Sequence, residues 1–300
     1  IAWGHKPPVA RLSREPPDRT DFAMRPPEIF DRAARRLRRD RIAASYAGHD
    51  FLRAAMIEGL VDRLGSVKRE FRDILDLGSF GGGLQFPGAR ITRLDAGRRF
   101  AAMSGGVQAD EDRLPFADGS FDLIVSAGVL DTVNDLPGAL TLARRALRPD
   151  GLFLAAFAGA GSLSTLRAAL REAEGDRPAP RIHPQIDVRA AGDLLVRAGF
   201  ALPVADVEIL DVRYGSLGRL LDDLRGMGAG NLLAERRAMR RDVLARAAAA
   251  FAAKADADGR TTERFAILYL TAWAPSPDQP MPARRGSATA SLAAAIGKKN

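Results

Sequence analysis

Between Phe71 and Gly83 the chain passes from a short apolar run, Phe71-Arg-Asp-Ile-Leu-Asp-Leu-Gly78, directly into a glycine-rich turn, Ser79-Phe80-Gly-Gly-Gly83. A run of that length reads as a strand buried on both faces, and the glycines as a turn where backbone can approach a ligand without a Cβ in the way. Further strands are predicted at 89–94, 121–126 and 151–157, with a helix over 136–147 that Arg148-Pro149-Asp150-Gly151 ends. Strands alternating with helices at this spacing require right-handed crossovers. The expected fold class is therefore α/β: a mostly parallel sheet with helices on both faces and an N-terminal helical extension.

Around that core the pattern predicts helix over 27–64, where Leu52, Met56, Leu60 and Leu64 recur every four residues. It also predicts a helix at 190–198, a strand at 204–213, helices at 217–225 and 234–253, and a returning strand at 265–273. The expected organisation is a disordered leader over 1–26, one domain over 27–274 and an irregular tail over 275–300. Within the domain, helices occupy 27–66, the core 71–213, a helical insertion 215–258 and the last strand 263–274. Met24, ahead of Arg25-Pro-Pro27, is a candidate natural start.

The absence of cysteine excludes disulfides, thiolate metal sites and cysteine nucleophiles, and His5, His49 and His183 lie too far apart for a short metal-ligand motif. No protein-held metal is expected. No apolar run approaches the ~18 residues that span a bilayer. The net charge of +8 directs attention to anionic partners, and Arg32, Arg35, Arg36, Arg38, Arg39 and Arg41 crowd one stretch. That stretch reads as a solvated helix face in preference to a phosphate, lipid or acidic-protein site. Nucleic acid is not expected, because no aromatic side chains alternate with the arginines.

In an open parallel sheet, ligands sit at the carboxyl ends of the strands. Asp76 at the first strand end repels a pyrophosphate but suits a cationic amino-acid moiety and a sulfonium. Asp95, at the second, can accept from both ribose hydroxyls; Asp110 with Glu111, beyond the third, can accept from an adenine amine. The candidate cofactor-binding set is Asp76, Gly78, Gly82, Asp95, Asp110 and Glu111.

Leu114-Pro-Phe116-Ala-Asp-Gly-Ser-Phe121-Asp122 and Leu147-Arg-Pro-Asp-Gly151 resemble signatures of the class I S-adenosylmethionine-dependent methyltransferases, over 72–158. A narrower resemblance runs nearly end to end. Ile29-Phe-Asp-Arg32, Arg39-Asp-Arg41, His49-Asp-Phe-Leu52, Ala109-Asp-Glu111, Val133-Asn-Asp-Leu-Pro137, Arg197-Ala-Gly-Phe200, Asp223-Leu-Arg-Gly-Met-Gly228 and Arg285-Gly-Ser-Ala288 together resemble the methyltransferase-like assembly factors of respiratory complex I. The resemblance implies the Rossmann-like methyltransferase sheet with an antiparallel last strand, S-adenosylmethionine as cofactor, and hydroxylation, or else methylation, of an arginine in an NADH dehydrogenase subunit. It also implies a complex I subunit or assembly intermediate as partner, and a bacterial cytoplasmic location with peripheral association at the membrane. Two alternatives stand beside it: a small-molecule or malonyl-carrier-protein O-methyltransferase, and a non-catalytic chaperone with an eroded cofactor site.

Phe80 stands at the middle glycine of the usual motif, and Asp95 follows Asp76 by 19 residues, short for a complete first helix that Pro87-Gly88 also interrupts. An aromatic ring between the carboxylates would leave a scaffold rather than an enzyme. No catalytic residue is assigned; Asp131, Asn134 and Asp135 are candidates by position, although Asn134-Asp135-Leu-Pro137 reads better as a helix cap. His183 is a candidate for the cleft roof. Scattered histidines do not support an iron triad.

Overall fold

The computed structural model describes residues 28–176 and 178–279, so the 1–26 leader, His5, Arg285–Ala288 and all but 275–279 of the tail lie outside the described residues. Asp31 caps α1 (Arg32–Ile42), its carboxylate accepting from the Ala34 N–H at 2.9 Å. A single turn at Tyr46–Gly48 then separates it from α2 (Phe51–Gly65), so the stretch expected as helix over 27–64 is two helices. There follow β1 (Asp73–Leu77), β2 (Arg90–Asp95), α3 (Arg98–Met103), β3 (Val107–Gln108), β4 (Phe121–Ala127), α4 (Leu136–Ala146) and β5 (Leu147–Ala158). The chain continues through α5 (Ser164–Glu174), α6 (Val188–Arg197), β6 (Ala201–Tyr214), α7 (Leu217–Gly226), α8 (Arg241–Ala252) and β7 (Thr261–Trp273).

The seven strands form one sheet in the order β3-β2-β1-β4-β5-β7-β6. Its first five strands are mutually parallel, and β7 runs antiparallel to both neighbours. This is the α/β architecture read from the sequence. Met56 and Leu60 of α2 pack on one face with Ile74, Leu123 and Tyr269, while Leu140, Leu195 and Phe200 pack on the other with Leu75, Ile124 and Phe153. A separate cluster joins α5, α7 and α8 to Phe265. Strand order reverses between β1 and β4, which opens the ligand crevice at their carboxyl ends. Gly78 turns the chain there at φ +82°, and a Cβ on it would lie 2.5 Å from the Val129 methyls.

Several details differ from expectation. No helix links β1 to β2: residues 78–89 are turn and coil, so the helix N-terminus expected beyond the glycines is missing. α8 begins at Arg241 rather than 234. β5 starts at Leu147, pairing with Phe121 across a register shift before Leu123 pairs with Leu152. α5 was not expected at all, because its N-cap is Leu163 at φ +56° with no side-chain acceptor; Glu263 of β7 supplies the cap instead, accepting from Thr165 and Leu166 N–H.

Candidate cofactor and substrate site

Asp76, Asp95, Asp110 and Glu111 converge, all buried, at the ends of the first strands. What faces them is α1. Arg32, Arg35, Arg36 and Arg39 recur at i, i+3, i+4 and i+7, one face of a helix. Arg35 forks onto Glu111 at 2.7 and 2.9 Å, and Arg36 onto Asp110 at 3.1 and 2.6 Å. Arg32 forks onto Asp112 with both bonds at 2.6 Å and reaches Asp110 at 3.3 Å. Arg39 forks onto Asp95, its Nε at 2.8 Å and its Nη2 on the second oxygen. The face expected to be solvated is thus partly internal: Arg35 and Arg39 are buried, and Arg32 and Arg36 reach inward from its rim, since buried carboxylates demand paired donors. The signal lay in the helical spacing of the arginines and the matching run Asp110-Glu-Asp112.

Phe80 fills the glycine turn. At φ +47° it holds a backbone conformation that favours glycine, and its ring is stacked on Tyr46 at 4.6 Å and edge-on to Phe100 at 5.5 Å. The Arg39 guanidinium lies 3.8 Å from the ring centroid. Arg53 of α2 ties the turn down, donating to the Gly82 carbonyl at 3.0 Å and the Ser79 carbonyl at 2.9 Å.

These residues do not fit an S-adenosylmethionine nucleoside in this arrangement. Asp95 accepts from Arg39 twice, from Phe80 N–H at 2.9 Å and from Gly97 N–H at 2.7 Å, leaving nothing for ribose hydroxyls. Both Asp110 oxygens and both Glu111 oxygens are likewise bound to arginine. Asp76 differs. Neither of its oxygens has a hydrogen-bond partner, with Arg53 and Arg93 at 3.9 and 3.8 Å, and burial pushes its carboxyl up to about 6.

A cavity of about 640 Å³ opens beside Phe80, Arg53 and Gly128, walled by α5 and α7 and by residues 181–185 and 227–239. Asp131 lines it, its carboxyl pushed up to about 6 by burial. The other catalytic candidates lie elsewhere: Asp135 caps α4 through Gly138 N–H, and Asn134 clips both backbone polar groups of Phe30. His183 lines the cavity, accepts from Leu232 N–H at 3.0 Å, and is driven down to about 4 by burial, so its imidazole is neutral at pH 7. His49 meets Asp223 at 3.0 Å. Among the described residues no group of three or more His, Asp or Glu is placed to hold a metal ion.

The family described as "Methyltransferase domain" matches residues 75–155. The arginine-hydroxylase NDUFAF5 of Danio rerio mitochondria is 33% identical over 90% of this chain and 91% of its own. The chain belongs to the NDUFAF5 family, within the class I methyltransferase superfamily. A second group is also similar: a malonyl-[acyl-carrier protein] O-methyltransferase of Laribacter hongkongensis is 33% identical over 79% of this chain and 87% of its own. Among solved structures, the Bacillus subtilis YcgJ protein shares the fold, with a TM-score of 0.51 over 73% of this chain and 99% of its own at 14% identity. Relatives of this NDUFAF5-family chain are thus named as enzymes.

Proposed function

We propose that this chain acts as an assembly protein for a respiratory NADH dehydrogenase, using the methyltransferase fold as a scaffold in the form closed by α1. One observation carries the reading: the carboxylates at the ends of β2 and β3 are each bound to an α1 guanidinium, and an aromatic ring occupies the glycine turn. The partner would be a complex I subunit or assembly intermediate, as the family resemblance implies, met at the inner face of the membrane. No helix among the described residues is long and apolar enough to cross that membrane.

A second reading, the enzyme that modifies an arginine with S-adenosylmethionine as cofactor, is favoured by Asp76, a buried carboxylate without a hydrogen bond that a cationic ligand would satisfy. It requires α1 to leave the acids. The malonyl-carrier O-methyltransferase reading shares that requirement.

Calorimetric titration separates these readings. The scaffold predicts no saturable heat with S-adenosylmethionine up to millimolar concentration, and saturation at micromolar concentration sinks it. In the host, deletion is expected to abolish NADH:quinone activity while leaving the mass of the candidate subunit unchanged. An added oxygen or methyl that depends on this chain would establish the enzyme instead.

A further inference from the structure

The cavity combines an apolar interior with a basic mouth. Leu52, Met56, Leu166, Leu170, Leu224 and Phe265 furnish apolar wall, and the volume of about 640 Å³ falls within the range of small-molecule sites. The exposed lining is cationic: Arg225, Arg236 and Arg237 stand at the surface. Arg236 is engaged by Asp31 at 2.9 Å and Arg225 by Asp222 at 2.8 Å. Arg38 and Arg237, however, make no ion pair among the described residues, and Arg38 is half-buried against Gly230. Burial, together with the neighbouring Arg236, holds the Arg38 guanidinium below its ordinary value, as for a cation short of counter-charge. Asp131 is the lone carboxylate of the lining.

We infer that this cavity binds a single-chain fatty carboxylate, its hydrocarbon tail lying along the leucine wall and its carboxylate meeting Arg38 with Arg236 and Arg237. A cationic head would meet the same arginines with like charge, and a chainless anion would leave the wall wet. The inference does not depend on whether the strand-end acids ever accept a nucleoside.

Titration of the full chain with decanoate, dodecanoate and tetradecanoate, below their micelle concentrations, tests it. Affinity is expected to rise about fourfold per added methylene, from ~0.8 kcal/mol of transfer free energy each. Dodecanol and dodecyltrimethylammonium should bind at least tenfold more weakly than dodecanoate. R38Q should remove most of that preference for the anion, and L221W, which narrows the cavity at a lining position of α7, should weaken dodecanoate binding at least fivefold without disturbing the α1 ion pairs. Equal affinity for the three head groups, affinity independent of chain length, or full dodecanoate binding by L221W overturns it.

Discussion

Replacing Arg39 with alanine is expected to lower the unfolding free energy by about 3–5 kcal/mol, the range for removing one partner of a buried ion pair. Asp95 would stay buried with two oxygens still carrying charge, its remaining donors being only the Phe80 and Gly97 amides. The cation resting on the Phe80 ring would go as well. The control is Arg41→Ala on the same helix. Arg41 is exposed and its change should stay within about 0.5 kcal/mol. Urea unfolding of the two variants, with Arg39→Met/Asp95→Asn alongside, provides the check. Neutralising both partners should recover a large part of the loss, because a deleted pair is tolerated better than an orphaned charge. A loss below about 1 kcal/mol for Arg39→Ala would mean that α1 does not rest on the acids, and the closed-site reading would go with it.

Asp76→Asn is expected to do the opposite and stabilise the protein at pH 7 by about 1–3 kcal/mol. The fold raises this carboxyl from its ordinary 3.8 to about 6, burial outweighing the attraction of Arg53 and Arg93. A raised acid favours the protonated folded state. Its contribution is therefore fully present below about pH 4, is lost as pH climbs through about 6, and remains lost above. The gap between wild type and variant should open between those two values and then stay constant. Asp131 titrates with the same sign and over the same window, so Asp131→Asn belongs in the series as a second arm. Midpoints of urea unfolding from pH 4 to 8 measure it; a flat difference across that range would refute the raised carboxyl. An acid retained at a net cost to stability, at the end of β1, is what keeps the enzyme reading alive beside the scaffold.

The two predictions concern opposite ends of one crevice. At Asp95, Asp110 and Glu111 each carboxylate is satisfied by the chain itself, and removing the partner should be costly. At the end of β1 Asp76 lacks a hydrogen-bond partner, and removing its charge should be beneficial.

Much of this was legible in the sequence. The apolar run 71–78 and the strands that alternate with helices after it announce an α/β parallel sheet, because burial on both faces is a property of neighbouring residues, while the antiparallel direction of the last strand was expected only from the family resemblance. The missing first helix was foreshadowed by the 19-residue interval and Pro87-Gly88. Asp135 as a cap was readable from the Pro that follows at Pro137. What local pattern could not reveal is pairing over distance. Arg35 and Glu111 are separated by 76 residues, and Glu263 caps a helix 97 residues upstream at Leu166. Whether an arginine stripe meets water or carboxylates depends on where α1 docks. That docking is decided only when the whole sheet has formed, since a charge avoids burial unless a partner already waits there. The sequence by itself therefore determined the layers and the acids; the folded chain alone decided that its own arginines, and the ring of Phe80, would occupy the space between them.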